Sequence, residues 1–433
     1  PNAEHWDGTP LIDFREFHFP DGAISFNRAT FGEGYVSFDF ATFGEGDVRF
    51  VKANFGEGYV SFYYAIFGKG DVRFDHANFG EGYVDFRRAI FGEGNVSFNR
   101  ATFGEGYVSF EKATFGEGDV WFHNTVLGKE KGDVDFSWAS FGRGAVSFGN
   151  LAFAGTARFT ELENVEQCTR FSFEGCSFDK LFTFSHEGRI GCPLDLRRTK
   201  LAHTLVVHDI HCDYAKTPQP DWTARLSNCL FARPLWPHPF DKQKKKHLPY
   251  SKPSWEWRKT ATYREDSQRF RRLKELAASS HNHAKTLEFN AQEKRSRRGN
   301  EEMWLGEATL DLLYATLSNY GRSVLRPLIA LGALWGLFSA LFWWARVPFT
   351  EFTDKSFALV EGQTRSGLTA FNYAASNLLS FIPTGRTART QGEDLLFGGI
   401  VPDWIVFVGG VQSLLSVILL FLLGLALRNM FRV

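Results

Sequence analysis

The chain has 433 residues, 44% hydrophobic and 16% aromatic, with 49 basic and 49 acidic side chains and a formal net charge of zero. That length leaves room for two or three domains. The five cysteines (Cys168, Cys176, Cys192, Cys212, Cys229) are odd in number and lack metal-ligand spacing, so they exclude a disulfide framework and read as buried, reduced thiols.

Charge is unevenly placed. Residues 1–160 carry 22 acidic and 14 basic side chains, whereas residues 242–298 carry 17 basic and 6 acidic ones. The opening Pro1-Asn2-Ala3-Glu4-His5 has neither a basic n-region nor an apolar h-region, so no secretory signal is expected.

From Phe19 onward, phenylalanine recurs at alternating intervals of five and seven residues: Phe26, Phe31, Phe38, Phe43, Phe50, Phe55, Phe62, and so to Phe148 and Phe153. No helical period fits that beat. Two residues before each Phe stands a smaller apolar residue, as Ala41 precedes Phe43 and Val48 precedes Phe50. Positions i−2 and i share one side of an extended backbone, so both point inward. The residue before the Val alternates Tyr35, Asp47, Tyr59, Asp71, Tyr83, Asn95, Tyr107, Asp119. One solenoid turn is therefore expected to take 24 residues, with a Tyr column on one side and an Asp/Asn column opposite. The Gly-Glu-Gly corners are expected to need glycine for φ > 0.

These A-x-F units resemble the pentapeptide-repeat family over about residues 19–212, which implies a right-handed β-helix with those residue pairs inside. The seven-residue half departs from the family pattern. The coil is expected to end near Cys212, giving a first domain of residues 1–212.

Residues 213–254, rich in Pro and Lys, read as an irregular basic linker. Within 255–300, Tyr263 to Ala278 places Phe270, Leu273, Leu276 and Ala277 on one helical face. Ala284 to Arg298 follows as a second helix, and the pair reads as a helical hairpin connecting the two halves. Residues 301–324 then read as an interfacial helix.

Leu328 to Ala345 and Trp404 to Leu427 are uncharged runs long enough to span a bilayer as helices. Arg322 and Arg326 before the first and Arg428 and Arg432 after the second predict cytoplasmic termini in an inner (plasma) membrane. Between them, residues 366–385 combine a short apolar helix with Ile382-Pro383-Thr384-Gly385-Arg386, read as a helix-ending stretch. Two arrangements remain open: a re-entrant pore loop, tolerated where backbone lines water, or an amphipathic helix on the membrane surface. Asn372, Ser376, Asn377, Ile382, Pro383, Thr384, Gly385 and Arg386 are the pore-loop candidates. Gly409, Gln412, Ser413 and Ser416 form a small, polar stripe on the second span, which suits either a pore lining or close helix packing.

Asn319-Tyr320-Gly321-Arg322-Ser323-Val324-Leu325-Arg326-Pro327-Leu328 resembles the entry segment of bacterial pentapeptide-repeat membrane proteins with a two-helix pore-loop domain of the ion-channel class. That resemblance implies a homo-oligomeric channel in a lipid bilayer, conducting ions, with the β-helix as cytosolic sensor or scaffold for an unknown ligand or protein. The class's Thr-Val-Gly-Tyr-Gly potassium filter is absent, so a potassium-selective pore is not expected. Arg386 or Arg389 at the mouth would favour anions. A membrane-anchored scaffold without conduction is the competing expectation.

No hydrolase, Walker-type or zinc-protease motif is present, so no enzyme activity, cofactor or metal site is expected. His203, His208, His211 and Cys212 fit no zinc pattern. The corner acids are broken up by Arg49, Arg73, Arg87 and Arg88, which argues against mimicry of DNA and against nucleic acid as a partner.

Overall fold

The computed structural model describes residues 11–128, 131–203, 205, 210–213, 263–298, 305–348, 366–378 and 383–431. Its contacts divide the chain into two compact units, Pro1–Met303 and Trp304–Val433.

The first unit is a β-solenoid of about 8 turns with about 24 residues per turn. One eight-stranded parallel ladder starts at Leu11–Asp13 and ends at Phe182–His186; a second runs from Ile24–Ser25 to Leu194–Asp195. Partners sit one turn apart, as Val36 with Val60 and Val48 with Val72. The corner at 128–132 absorbs two extra residues, since Val108 still pairs with Val134.

Inside, most Phe rings of the repeat stack on their equivalents in the next turn, whereas Phe159 stands at 74° to Phe182. Phe62 lies 4.8 Å from both Phe38 and Phe86, with rings within 2° of parallel. That spacing equals the separation of neighbouring strands, so each ring is held offset-stacked along the axis and edge-on to the next column. Outside, Tyr35, Tyr59, Tyr83 and Tyr107 stack in the expected column. In the Asp/Asn column each side chain accepts a hydrogen bond from the backbone N–H one turn on: Asp71 N–H to Asp47, Asn95 N–H to Asp71, Asp119 N–H to Asn95.

The corners follow a different rule from the one the glycines suggested. Only some first glycines have φ > 0, Gly56 at 80° among them. Gly46 and Gly58 do not; a Cβ there would lie 2.1 and 2.2 Å from backbone atoms of the turn below. Those glycines let successive corners approach closely. Left-handed backbone falls instead on non-glycine residues two positions after an inward Phe, including Phe40, Lys52, Tyr64, His76 and Arg88. Each costs about 1 kcal/mol and is held by a cross-turn bond such as Lys52 N–H to Asp75 O, 2.9 Å.

Two helices follow in the same unit, α1 (Asp266–Ser279) and α2 (His283–Arg297). Sequence assigned them to a connector. In the structure Phe270, Leu273, Leu276, Ala277 and Phe289 belong to the solenoid's own core. They cap its last turn, where an open end would leave apolar residues such as Leu194, Leu196 and Ile210 facing water. Polar ties reinforce the cap: Arg269 donates to Asp195 (3.0 Å) and Asp266 (2.7 Å), and Lys285 to the Ile210 carbonyl (2.8 Å).

The second unit is helical: α3 (Leu305–Ser318), α4 (Leu325–Trp344), α5 (Gly367–Leu378), α6 (Pro383–Phe397) and α7 (Asp403–Phe431). Of these, α4 and α7 are long and apolar enough to cross a membrane. The region 214–262, which holds nearly all of the expected linker, lies outside the described residues.

Candidate functional site

The second unit is built around α5. Phe338 and Phe342 of α4, Ala370, Tyr373 and Ala374 of α5, Leu396 and Phe397 of α6 and Ile405 of α7 form one buried cluster. Most other apolar side chains of the two long helices face outward, including Leu325, Ile329 and Leu337 on α4 and Phe407, Leu414 and Phe421 on α7.

Polar contacts fix the level at which α5 sits. The Trp335 indole N–H donates to the Phe371 carbonyl (3.0 Å), and the two rings approach to 3.9 Å. Gln412 Nε2 donates to the Ala374 carbonyl and Ser413 Oγ to the Asn377 carbonyl, both at 2.9 Å. These last two carbonyls belong to the end of α5, where helix carbonyls lack intrahelical partners. Gln412 and Ser413 lie about 15 Å along α7 from its start at Asp403, so the end of α5 packs beside the body of α7 rather than across its tip.

The four-residue stripe of α7 is thus a packing face. Gly409 leaves room for the Asn377 amide, 3.5 Å from where a Cβ would be. Gln412 and Ser416 are fully buried, and Ser416 Oγ donates to the Gln412 carbonyl at 2.7 Å. Of the two uses left open for this stripe, close packing is the one found within a single chain. It brings Asn377, Gly409, Gln412 and Ser413 together. Ser376 is buried and donates to the Tyr373 carbonyl, while Asn372 is exposed.

Three buried polar atoms at this junction have no hydrogen-bond partner: Asn377 Oδ1 and Nδ2, and Gln412 Oε1. Each such group costs on the order of 1–3 kcal/mol if left dry.

The stretch from Pro383 departs from expectation. Ile382 lies outside the described residues, but Pro383, Thr384, Gly385 and Arg386 form the first turn of α6 instead of ending a helix. Pro at the first helical position loses no hydrogen bond there, because that N–H has no intrahelical acceptor. The signal was present in the sequence: Ala388, Gly392, Leu395 and Leu396 recur at helical spacing behind the proline. The tight fit of Gly392 against the Tyr373 ring, 2.7 Å from a Cβ position, was not visible there. Arg389 pairs with Glu393 one turn on (2.9 Å), so its charge is locally compensated.

The two ends of α6 can be levelled against the long helices. Its start comes a few residues in the chain after Asn377, which itself neighbours Gly409 and Ser413. Its end is level with the far end of α4, since Val347 N–H donates to the Leu396 carbonyl at 2.9 Å. Thr387, Thr390 and Gln391 form an exposed polar stripe on this helix.

Among the described residues no group of three or more His, Cys, Asp or Glu side chains converges as a metal site would require. No protein-family model, curated protein or solved structure matches the chain.

Proposed function

We propose that residues 305–433 form a membrane pore module that assembles as a homo-oligomer and conducts ions, with the β-solenoid as a cytosolic sensor or scaffold. In this reading α4 and α7 cross the bilayer, and the α5–α6 hairpin re-enters it from the side carrying Trp344 and Asp403. Arg322, Arg326 and Arg428 mark the cytoplasmic side.

One observation carries the reading. Helix α6 packs against α5 and exposes Thr387, Thr390 and Gln391 in a unit whose two long helices present apolar surfaces. Lipid does not accommodate such a stripe, whereas water in a lumen enclosed by neighbouring copies does. The unpartnered Asn377 amide and Gln412 Oε1 support the same reading, as water from that lumen would satisfy them. The stretch Ile382-Pro383-Thr384-Gly385-Arg386 provides no stacked-carbonyl potassium filter, so selectivity for potassium is not proposed. Anion preference rests on Arg386 alone, because Glu393 offsets Arg389.

A membrane-anchored scaffold without conduction is the second reading, favoured by the way Gly409, Gln412 and Ser413 are used up in packing within one chain. Cysteine accessibility separates the two. Thr390→Cys and Gln391→Cys in reconstituted protein should react with charged, membrane-impermeant thiol reagents and reduce unitary currents, while Gln412→Cys stays inert. Inert positions on α6 together with silent bilayers would leave only the anchor.

A further inference from the structure

A cleft of about 310 Å³ opens between α3, α4 and α7. It is lined by Leu317 of α3, Ala330, Ala333 and Leu337 of α4, and Leu415 and Ile418 of α7, among other aliphatic side chains. Water there would find no hydrogen-bond partner, so the lining suits hydrocarbon.

The α4 wall of the cleft continues into a cation. Arg326, Ala330, Ala333 and Leu337 follow one another at helical spacing on one face, and Arg326 is exposed. Its guanidinium reaches α3, donating to the Ala315 carbonyl at 3.3 Å, two residues from Leu317. Two more arginines gather at this end. Asn429 Nδ2 donates to the Gly321 carbonyl at 3.1 Å, which draws their sequence neighbours Arg428 and Arg322, both exposed, to the same level. The cleft residues on α4 lie about 6–16 Å beyond Arg326 along the helix.

An aliphatic cleft of that length, with exposed guanidinium groups toward one end, complements one molecule of particular chemistry. We propose that the cleft holds an acyl chain of an anionic phospholipid whose phosphate is bound by Arg326, with Arg322 and Arg428 beside it. Burying acyl methylenes there is favourable, and guanidinium fits phosphate oxygens in bidentate fashion. The site ties α3 to both long helices through a lipid of the cytoplasmic leaflet. The inference rests on the membrane reading above.

Native mass spectrometry of the full chain, released from vesicles of phosphatidylcholine and phosphatidylglycerol in equal parts, tests it. Wild type should retain phosphatidylglycerol in preference to phosphatidylcholine. Arg326→Gln should lower that preference at least fivefold, and Ala333→Trp, which fills the cleft from an exposed position, should cut retention of both lipids. Unchanged retention in both variants overturns the proposal. So does disulfide cross-linking of Leu337→Cys between copies, which would show a second chain in the cleft. Flotation with the vesicles is read in parallel: protein that floats but retains no lipid refutes this site alone, whereas protein that fails to float refutes the membrane reading itself.

Discussion

At the scale of single residues, the solenoid depends on atoms that are missing as much as on those present. Gly58 has ordinary backbone angles, yet a Cβ would meet the Gly34 carbonyl oxygen at 2.2 Å. That neighbour is backbone held by ladders on either side, so it cannot yield. Gly58→Ala should therefore lower stability by more than about 2 kcal/mol, read as a reduced urea midpoint. Gly149→Ala is the control, since its nearest neighbour would be the His123 ring at 3.7 Å, and it should leave the midpoint nearly unmoved. The inward Phe and Ala/Val columns were legible in sequence because a side chain's facing follows from strand periodicity alone. The purpose of the glycines was not, because close approach between turns depends on how tightly corners stack. The thiols conform to the same interior: burial pushes Cys168, Cys176 and Cys212 up to about 12, leaving them protonated and inert at neutral pH.

At the scale of elements, the α1–α2 hairpin combines apolar cover with a buried charge cluster. Asp266 has its carboxyl pushed up to about 6 by burial, with Arg269 opposing and Asp195 and Glu265 adding to the rise. Asp195 is held below its ordinary value by Arg197 and Arg269 in spite of burial. The two act in opposite directions. A raised folded pKa means the native state binds the proton more tightly, so Asp266 costs stability progressively between about pH 4 and pH 6 and by a constant amount above. Asp195 contributes stability above about pH 4 and loses it as the pH falls further. Asp266→Asn should flatten the decline between pH 4 and 6 by at most about 3 kcal/mol and leave the acid limb below pH 4 in place. Melts of the full chain at pH 4.5 and 7 check this; equal pH dependence in both proteins would sink the assignment. The amphipathic face of α1 was readable from its period, but what it covers was not, since the last turn is distant in sequence. Helix α6 was missed for a related reason: its polar residues hid a pattern that only acquires meaning against Tyr373.

At the scale of the whole molecule, the proposed reading makes the helical unit incomplete as a single copy. Its apolar outer surface calls for lipid, and the Thr387, Thr390 and Gln391 stripe calls for water, at overlapping levels of the same bundle. One copy cannot keep both apart, because the stripe is exposed on the outside of the bundle. In the proposed reading rotational symmetry would resolve the conflict, since copies arranged around an axis would turn every α6 inward and every outer face of α4 and α7 toward lipid. Sequence showed the two long apolar helices and the short segment between them, and left the α7 stripe open between lining and packing. Within one chain that stripe packs against α5, so the proposed reading turns α6 toward the axis. A ring of this kind needs at least three copies, so the detergent-solubilised protein should have a light-scattering mass, corrected for detergent, of three or more times the 49.1 kDa chain. Pairing Thr387→Lys with Gln391→Lys would crowd like charges around the axis, and should shift the population toward smaller species at low salt more than at high salt. A wild-type mass equal to one chain would leave the polar stripe without a lumen to face and would remove conduction from consideration, with the reading of the capped solenoid unaffected.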